Sequence, residues 1–263
     1  MKDLIDILIV DDEQVIIDSV IKIAKLEDFS IESALDAVSA LKKLDSTKFN
    51  IILCDIMMPG MDGFQFLQEV AARKIQTPVI ITTGYSTVEN AVKALYEGAV
   101  SFLPKPFSID ELSSIIQRGL RYNRLINKAK ENTERLVYVS CPAKYLRLGF
   151  SSWIYEEFNS TAKLGTTDVY LKLVESIDRI EMRSVDDTLT QGDECAKFIA
   201  EDGLEHKIYS AISGRILEVN EKLLTNPKLV EKDPFFEGWI YRILPSDLEY
   251  EKKQLISCSS DRL

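Results

Sequence analysis

Histidine is nearly absent from this chain, with His206 the only one in 263 residues. A histidine-based metal cluster needs a second imidazole, and a Ser/His/Asp triad would have to be built around this single residue, so most hydrolase chemistry is disfavoured. Cysteine is scarce too. Cys54, Cys141, Cys195 and Cys258 show no paired metal spacing, so reduced thiols are expected, and a chain of this length needs no disulfide staples. No apolar run approaches the roughly 18 to 20 residues that span a bilayer, and the start MKDLID lacks a charged-then-apolar leader. The expectation is a cytoplasmic protein without a membrane partner. Basic residues are outnumbered, 32 Lys and Arg against 42 Asp and Glu, for a net charge of −10. The surplus is spread over both halves and repels a phosphate backbone, so no nucleic-acid partner is expected.

What is present is a regular alternation. Ile5–Val10, Ile51–Cys54, Pro78–Thr82 and Val100–Leu103 are short, β-branched and without polar alternation, as strands covered on both faces are. Between them, Val15–Leu26, Ala37–Leu44, Phe64–Ala72 and Val88–Tyr96 carry apolar residues three and four apart, the helical period. Ser86 with Glu89 and Ser108 with Glu111 fit capping boxes, and Asp62 before Gly63 fits an N-cap. This predicts an α/β unit with a parallel sheet over residues 1–125. The helical pattern continues through Leu120 and Ile126 into KAKENTER, predicting a helical linker over 126–139, with a short coiled-coil homodimer seam as the alternative. From 140 to 263 short β-type runs, Ala196–Ala200, Lys207–Ile212 and Gly238–Leu244, are separated by Asp202-Gly203 and Ser213-Gly214. That predicts a small β-rich domain.

Five residues stand just past the ends of the first apolar runs: Asp11, Asp12, Asp55, Thr83 and Lys105. In parallel α/β sheets ligand chemistry gathers at the carboxyl ends of strands, so one cleft would hold them all. Crowded carboxylates repel unless a cation sits among them, and Mg²⁺ takes hard oxygen ligands together with substrate phosphate. Asp55 would be the nucleophile toward a phosphoryl group, with Lys105 neutralising its oxygens and Thr83 donating a hydrogen bond to them.

These residues carry a resemblance. ILIVDDE, LCDIMMPGMDG around Asp55, ITTGYS with Thr83 and SFLPKPF with Lys105 resemble the receiver domain of two-component response regulators, over roughly residues 3 to 125. The resemblance implies a flavodoxin-like, doubly wound, five-stranded parallel sheet. It implies that Asp12, Asp55 and the Met57 carbonyl bind Mg²⁺ directly and Asp11 through water, and that Phe102 is the rotating aromatic of the switch with Thr83. It also implies a histidine kinase or phosphotransfer protein as phosphoryl donor. Met57 and Tyr85 occupy the two positions that in the family often orient attacking water; neither is a good base, so slow self-dephosphorylation is expected.

The second half, from about 145 to 250, resembles the H protein of the glycine cleavage system, a lipoyl-carrier β-sandwich. Trp153, LGTTD, QGDE and the segment Ser213–Asp247 carry this likeness. The family's lipoylated lysine falls on Gly203, which cannot carry lipoate, so no lipoate is expected. Asp202-Gly203 is read as a two-residue positive-φ turn. Lys207 is four residues further on, and His206 beside it is read as a surface or hydrogen-bonded strand residue.

The expectation is therefore a non-enzymatic phosphorelay response regulator, capable only of its own phosphorylation and slow dephosphorylation at Asp55. It would signal to an unknown downstream protein through a non-lipoylated H-protein-like domain. Two alternatives stay open: a receiver-regulated lipoyl carrier, and a transcriptional regulator with an unrecognised output.

Overall fold

The computed structural model describes residues 4–84, 87–131, 138–174 and 176–258. The chain divides into two compact units, one of Met1–Asn90 with Glu97–Asn127 and one of Ala91–Tyr96 with Lys128–Leu263.

Over residues 4–131 the elements run β1 (Leu4–Val10), α1 (Gln14–Leu26), β2 (Ile31–Ala34), α2 (Ala37–Ser46), β3 (Lys48–Asp55), α3 (Gly63–Ala72), β4 (Val79–Thr83), α4 (Val88–Tyr96), β5 (Ser101–Pro104) and α5 (Ile109–Glu131). Among the described residues they form one parallel five-stranded sheet of order β2-β1-β3-β4-β5. This is the doubly wound α/β architecture expected. Both faces are covered, which is why the strands read as unbroken apolar runs. Ile7, Ile9, Ile51, Leu53 and Ile80 pack on Ile17, Val20, Leu112, Ile115 and Ile116. The alternate residues Leu8, Ile52, Cys54 and Ile81 are equally inaccessible.

Strand β2 has no counterpart among the apolar runs of the sequence. It is a four-residue edge strand, IESA, half-buried except at Ala34, and an edge needs little apolar surface. Ser108 and Glu111 exchange both hydrogen bonds of a capping box, and Asp62 does the same with Gln65. The Ser86 cap lies outside the described residues. Helix α5 extends through Asn127 to Glu131; of the linker stretch beyond it, 132–137 also lies outside the described residues, and Tyr138 and Val139, expected to be helical, are not. Gly119 has a packing reason: a Cβ there would come within 2.8 Å of Ile80 Cδ1 and 3.1 Å of Ile51 Cγ2.

The second unit is antiparallel. Its strands are β6 (Leu146–Leu148), β7 (Ser152–Glu156), β8 (Ala162–Thr166), β9 (Ile177–Met182), β10 (Thr188–Leu189), β11 (Glu194–Ala200), β12 (Glu205–Tyr209), β13 (Gly214–Val219), β14 (Tyr241–Pro245) and β15 (Ile256–Ser257). Single turns of helix interrupt them: α6 (Asp168–Leu171), α7 (Lys222–Thr225), α8 (Leu229–Lys232) and α9 (Leu248–Glu251). Among the described residues, seven strands form a sheet of order β10-β13-β14-β8-β7-β6-β15 and three form a second, β12-β11-β9. Trp153 is wholly buried, and its indole lies over Gly165, where a Cβ would stand 2.3 Å from Cζ2. Its Nε1 donates to the Thr166 carbonyl at 2.8 Å. Between β13 and β14 the chain makes an excursion through α7 and α8, tied back by the Asn220 amide, which donates to the Glu237 and Trp239 carbonyls at 2.8 Å each.

Two expectations need correction here. The turn at Asp202-Gly203 is a three-residue loop: the Gly203 amide donates to the Ala200 carbonyl and the Ala200 amide to the Leu204 carbonyl, and only Gly203, at φ +84°, takes positive φ. A type I turn followed by a left-handed glycine closes the hairpin. The thiols are not all reduced, because Cys141 and Cys258 form a disulfide across a sequence separation of 117. Spacing along the chain cannot show such a pairing, since the two meet only when the domain folds. A third is narrowed: of the two readings of His206, the surface one is excluded, since it is a strand residue of β12 and 1% exposed.

Candidate phosphoacceptor site

The parallel register gathers the strand ends. Val10 is level with Cys54, Asp55 with Thr82, and Thr83 with Pro104, so the residues that follow each strand open on one edge. Asp11 follows β1, Asp55 ends β3, Thr83 ends β4 and Lys105 follows β5.

Three of the five side chains meet at one point. The Lys105 ammonium lies 2.7 Å from Asp11 Oδ2 and 2.9 Å from Asp55 Oδ1, with exposed Glu13 at 4.0 Å. Asp11 and Asp55 are buried, at 0% and 3% exposure. Each carboxylate is also held by backbone: Asp11 Oδ1 accepts from the Glu13 amide at 3.0 Å, and Asp55 Oδ2 from the Met57 amide at 2.7 Å. The Lys105 amide donates to the Thr83 carbonyl at 2.8 Å, which fixes the lysine's loop against β4.

Burial pushes the Asp11 carboxyl above its ordinary value, against the opposing pull of Lys105 and the Glu13 amide. Burial also works against the Lys105 ammonium, but its hydrogen bonds to Asp11 and Asp55 more than compensate and hold its pKa up. The lysine is therefore a fixed positive charge between two carboxylates.

Of the other expected residues, Thr83 is fully buried, Phe102 is 3% exposed on β5, the Met57 side chain is 53% exposed, and Asp12 is exposed. Tyr85 lies outside the described residues. Among the described residues no group of three acidic, histidine or cysteine side chains converges as a metal site, because Asp11 and Asp55 turn onto Lys105 while Asp12 faces outward. The donor chemistry nonetheless suits a hard divalent cation: three carboxylates against one ammonium leave net negative charge, offered through oxygens alone.

Gly63 is a site residue not singled out on chemical grounds. A Cβ there would meet the Asp55 carbonyl oxygen at 2.3 Å and Ile56 Cα at 2.8 Å, so the first turn of α3 packs directly on the backbone that carries Asp55. Its signal is the Asp-Gly pair at the end of LCDIMMPGMDG.

In the second unit His206 and Lys207 do not form a pair. Neighbours in a strand point to opposite faces; His206 is opposite Phe198, and Lys207 is opposite Lys197. The Lys207 ammonium lies 3.7 Å from Glu194, and the hairpin tip carries Glu201, Asp202 and Gly203 with no lysine.

Residues 7–117 match the family model "Response regulator receiver domain", and residues 144–261 match "Glycine cleavage H-protein". The first half is 40% identical over 115 residues to the regulatory protein AtoC of Escherichia coli (strain K12), an alignment covering 44% of this chain and 25% of that protein. This chain thus spans about a quarter of the length of that curated relative. Among solved structures, a receiver domain protein (CheY-like) of Methanospirillum hungatei JF-1 is 33% identical, with 49% of this chain and 100% of that one covered, at a TM-score of 0.44. A glycine cleavage system H protein of Mycobacterium marinum is 21% identical, with 40% and 87% covered, at a TM-score of 0.37. The chain is a two-component response regulator receiver domain followed by a glycine cleavage H-protein-like domain that has glycine at the tip of the lipoyl-type hairpin.

Proposed function

We propose that Asp55 accepts a phosphoryl group from a histidine kinase or phosphotransfer protein, and that the H-protein-like domain relays the signal by binding another protein rather than by carrying lipoate. The observation that carries this reading is the convergence of the Lys105 ammonium on Asp55 and Asp11 at the carboxyl edge of the sheet.

The Asp55 carboxylate forms an oxygen–phosphorus bond as the donor's nitrogen–phosphorus bond breaks, and the leaving imidazole takes up a proton from solvent. Lys105 neutralises charge on the transferring oxygens, and the Thr83 hydroxyl donates to them. Asp11, Asp12, Asp55 and the Met57 carbonyl would hold Mg²⁺, which when bound supplies further charge neutralisation. Phosphorylation replaces the single carboxylate charge of Asp55 with roughly two on the phosphoryl oxygens, which draw on Thr83 and Lys105, and the aromatic Phe102 on β5 repacks. Nothing beyond this self-directed chemistry is assigned to the chain as an enzyme. With Met57 and Tyr85 at the two water-orienting positions of the receiver family, dephosphorylation is slow.

The test is incubation with acetyl phosphate and Mg²⁺, read by intact mass. A single phosphoryl increment that disappears in Asp55→Asn supports the proposal, and equal labelling of that variant overturns it.

A further inference from the structure

Beside the disulfide of the second unit is an open groove of about 410 Å³, within the size range of small-ligand sites. Its floor is the buried Tyr145 and Phe235, its walls are Tyr155 and the 67%-exposed Phe236, and Lys144 and Lys163 stand at its rim. The Tyr145 ring is 4.9 Å from both Trp153 and Tyr155 and 6.1 Å edge-on from Phe235. The floor is fixed, because the Tyr145 hydroxyl donates to the Phe235 carbonyl at 3.0 Å and Cys141, four residues before Tyr145, is held by the disulfide to Cys258. Tyr155 is side by side with Lys163 on adjacent strands.

The charge at the rim is the informative part. In a chain of net charge −10, most lysines in this domain are matched to carboxylates: Lys197 to Glu205, Lys222 to Glu237, Lys228 to Glu201 and Lys252 to Glu156. Lys144 and Lys163 have no carboxylate within ion-pair distance among the described residues. Lys163 instead lies 5.2 Å above the ring of Trp239. Asp233, whose charge acts on Tyr145, accepts from the Phe236 amide at 3.1 Å. Lys163 acts on Glu157 and Glu237 only from beyond ion-pair distance, so a slot with aromatic walls and two ammonium groups outside any close ion pair is complementary to a flat apolar body bearing one negative charge.

We propose that this groove binds a small aromatic carboxylate, its ring between Tyr155 and Phe236 and its carboxylate on Lys163 and Lys144. The H-protein-like domain is then a ligand-binding module, and the chain carries two inputs, phosphoryl transfer and acid binding. This inference does not depend on the chemistry at Asp55.

The two tryptophans of the chain both belong to this domain, so their emission reports on the groove. The full chain is titrated with phenylacetate, with its neutral isostere 2-phenylethanol, with octanoate, and with a short acidic peptide. A ten-atom ligand of ordinary efficiency gives a dissociation constant on the order of 0.1 to 1 mM. The expected result is saturable quenching by phenylacetate, about tenfold weaker with 2-phenylethanol and with Lys163→Gln, unchanged in Asp55→Ala. Phe236→Ala is a second variant, at an exposed position that does not endanger folding, and is expected to weaken binding. Absence of saturation with phenylacetate overturns the proposal. So does equal binding of the neutral isostere, or tighter binding of octanoate or of the acidic peptide.

Discussion

The Lys105 ammonium stands 2.9 Å from the Asp55 carboxylate while only 10% of its side chain is exposed. A charge buried so far and shared with Asp11 at 2.7 Å holds together two carboxylates that would otherwise repel. Breaking a buried pair by removing one partner costs about 3 to 5 kcal/mol, because the other charge is left uncompensated. Lys105→Met is therefore expected to lower the stability of the receiver unit by about 3 kcal/mol in the absence of divalent metal. Mg²⁺ should restore part of the loss by occupying the same negative site, by mass action. Urea unfolding of wild type and variant, with and without millimolar Mg²⁺, reads both effects; a variant as stable as wild type without metal contradicts the account.

Gly63 gives a second prediction, on backbone rather than charge. Adding one methyl group would drive Cβ to 2.3 Å from the Asp55 carbonyl oxygen, and because the obstacle is main chain it cannot rotate aside. Overpacking of this kind costs about 1 to 3 kcal/mol. Gly63→Ala is expected to destabilise the receiver unit by about 2 to 3 kcal/mol and also to slow acetyl phosphate labelling, since the carrier of Asp55 must shift. A cap variant separates the two effects. Asp62→Ala removes the hydrogen bond to the Gln65 amide and should cost about 1 kcal/mol with labelling largely kept.

Much of this was legible because the chemistry of the receiver half is periodic. Strands buried on both faces announce themselves as apolar runs, and a residue just past such a run is placed by topology alone; so Asp11, Asp55 and Lys105 are foreseen and found together. Strand β2 is not legible, because an edge strand buries little and IESA carries two polar residues. The loop at Gly203 was placed correctly but given the wrong geometry: Asp-Gly serves both two-residue and three-residue hairpins, and only the hydrogen bonds of Ala200 decide. The Cys141–Cys258 bond and the groove beside it depend on residues far apart in the chain, Tyr145 with Phe235 and Cys141 with Cys258. No local pattern encodes such meetings.

The disulfide can be counted chemically. Cys54 and Cys195 are the free thiols, both buried, and burial pushes the Cys195 thiol up to about 12. At pH 8 both remain protonated and enclosed, so the native protein is expected to show no fast-reacting thiol. In guanidinium without reductant two should react, and after reduction all four of the sequence; four without reductant would remove the disulfide from the structure. In the chain-entropy account a loop of about 100 residues contributes on the order of 4 to 5 kcal/mol. A Cys141→Ser, Cys258→Ser double variant should therefore lower the unfolding transition of the H-protein-like unit and leave that of the receiver unit in place.

The hairpin supplies the last prediction. At its tip Gly203 takes φ +84°, and a Cβ added there would meet nothing within 4 Å, so a longer side chain at this position faces only the backbone cost of a left-handed conformation, about 1 to 2 kcal/mol. Lys207, by contrast, is in the body of β12, and its ammonium lies 3.7 Å from Glu194, where a ligase that reads an exposed turn lysine has no approach. Expression with a lipoyl ligase and lipoate, read by intact mass, should leave the wild-type chain unmodified and add the lipoyl increment to Gly203→Lys. Modification of the wild type, traced by peptide mapping to Lys207, would restore the carrier reading of this domain, because the loss of the turn lysine would then have been offset within the same hairpin.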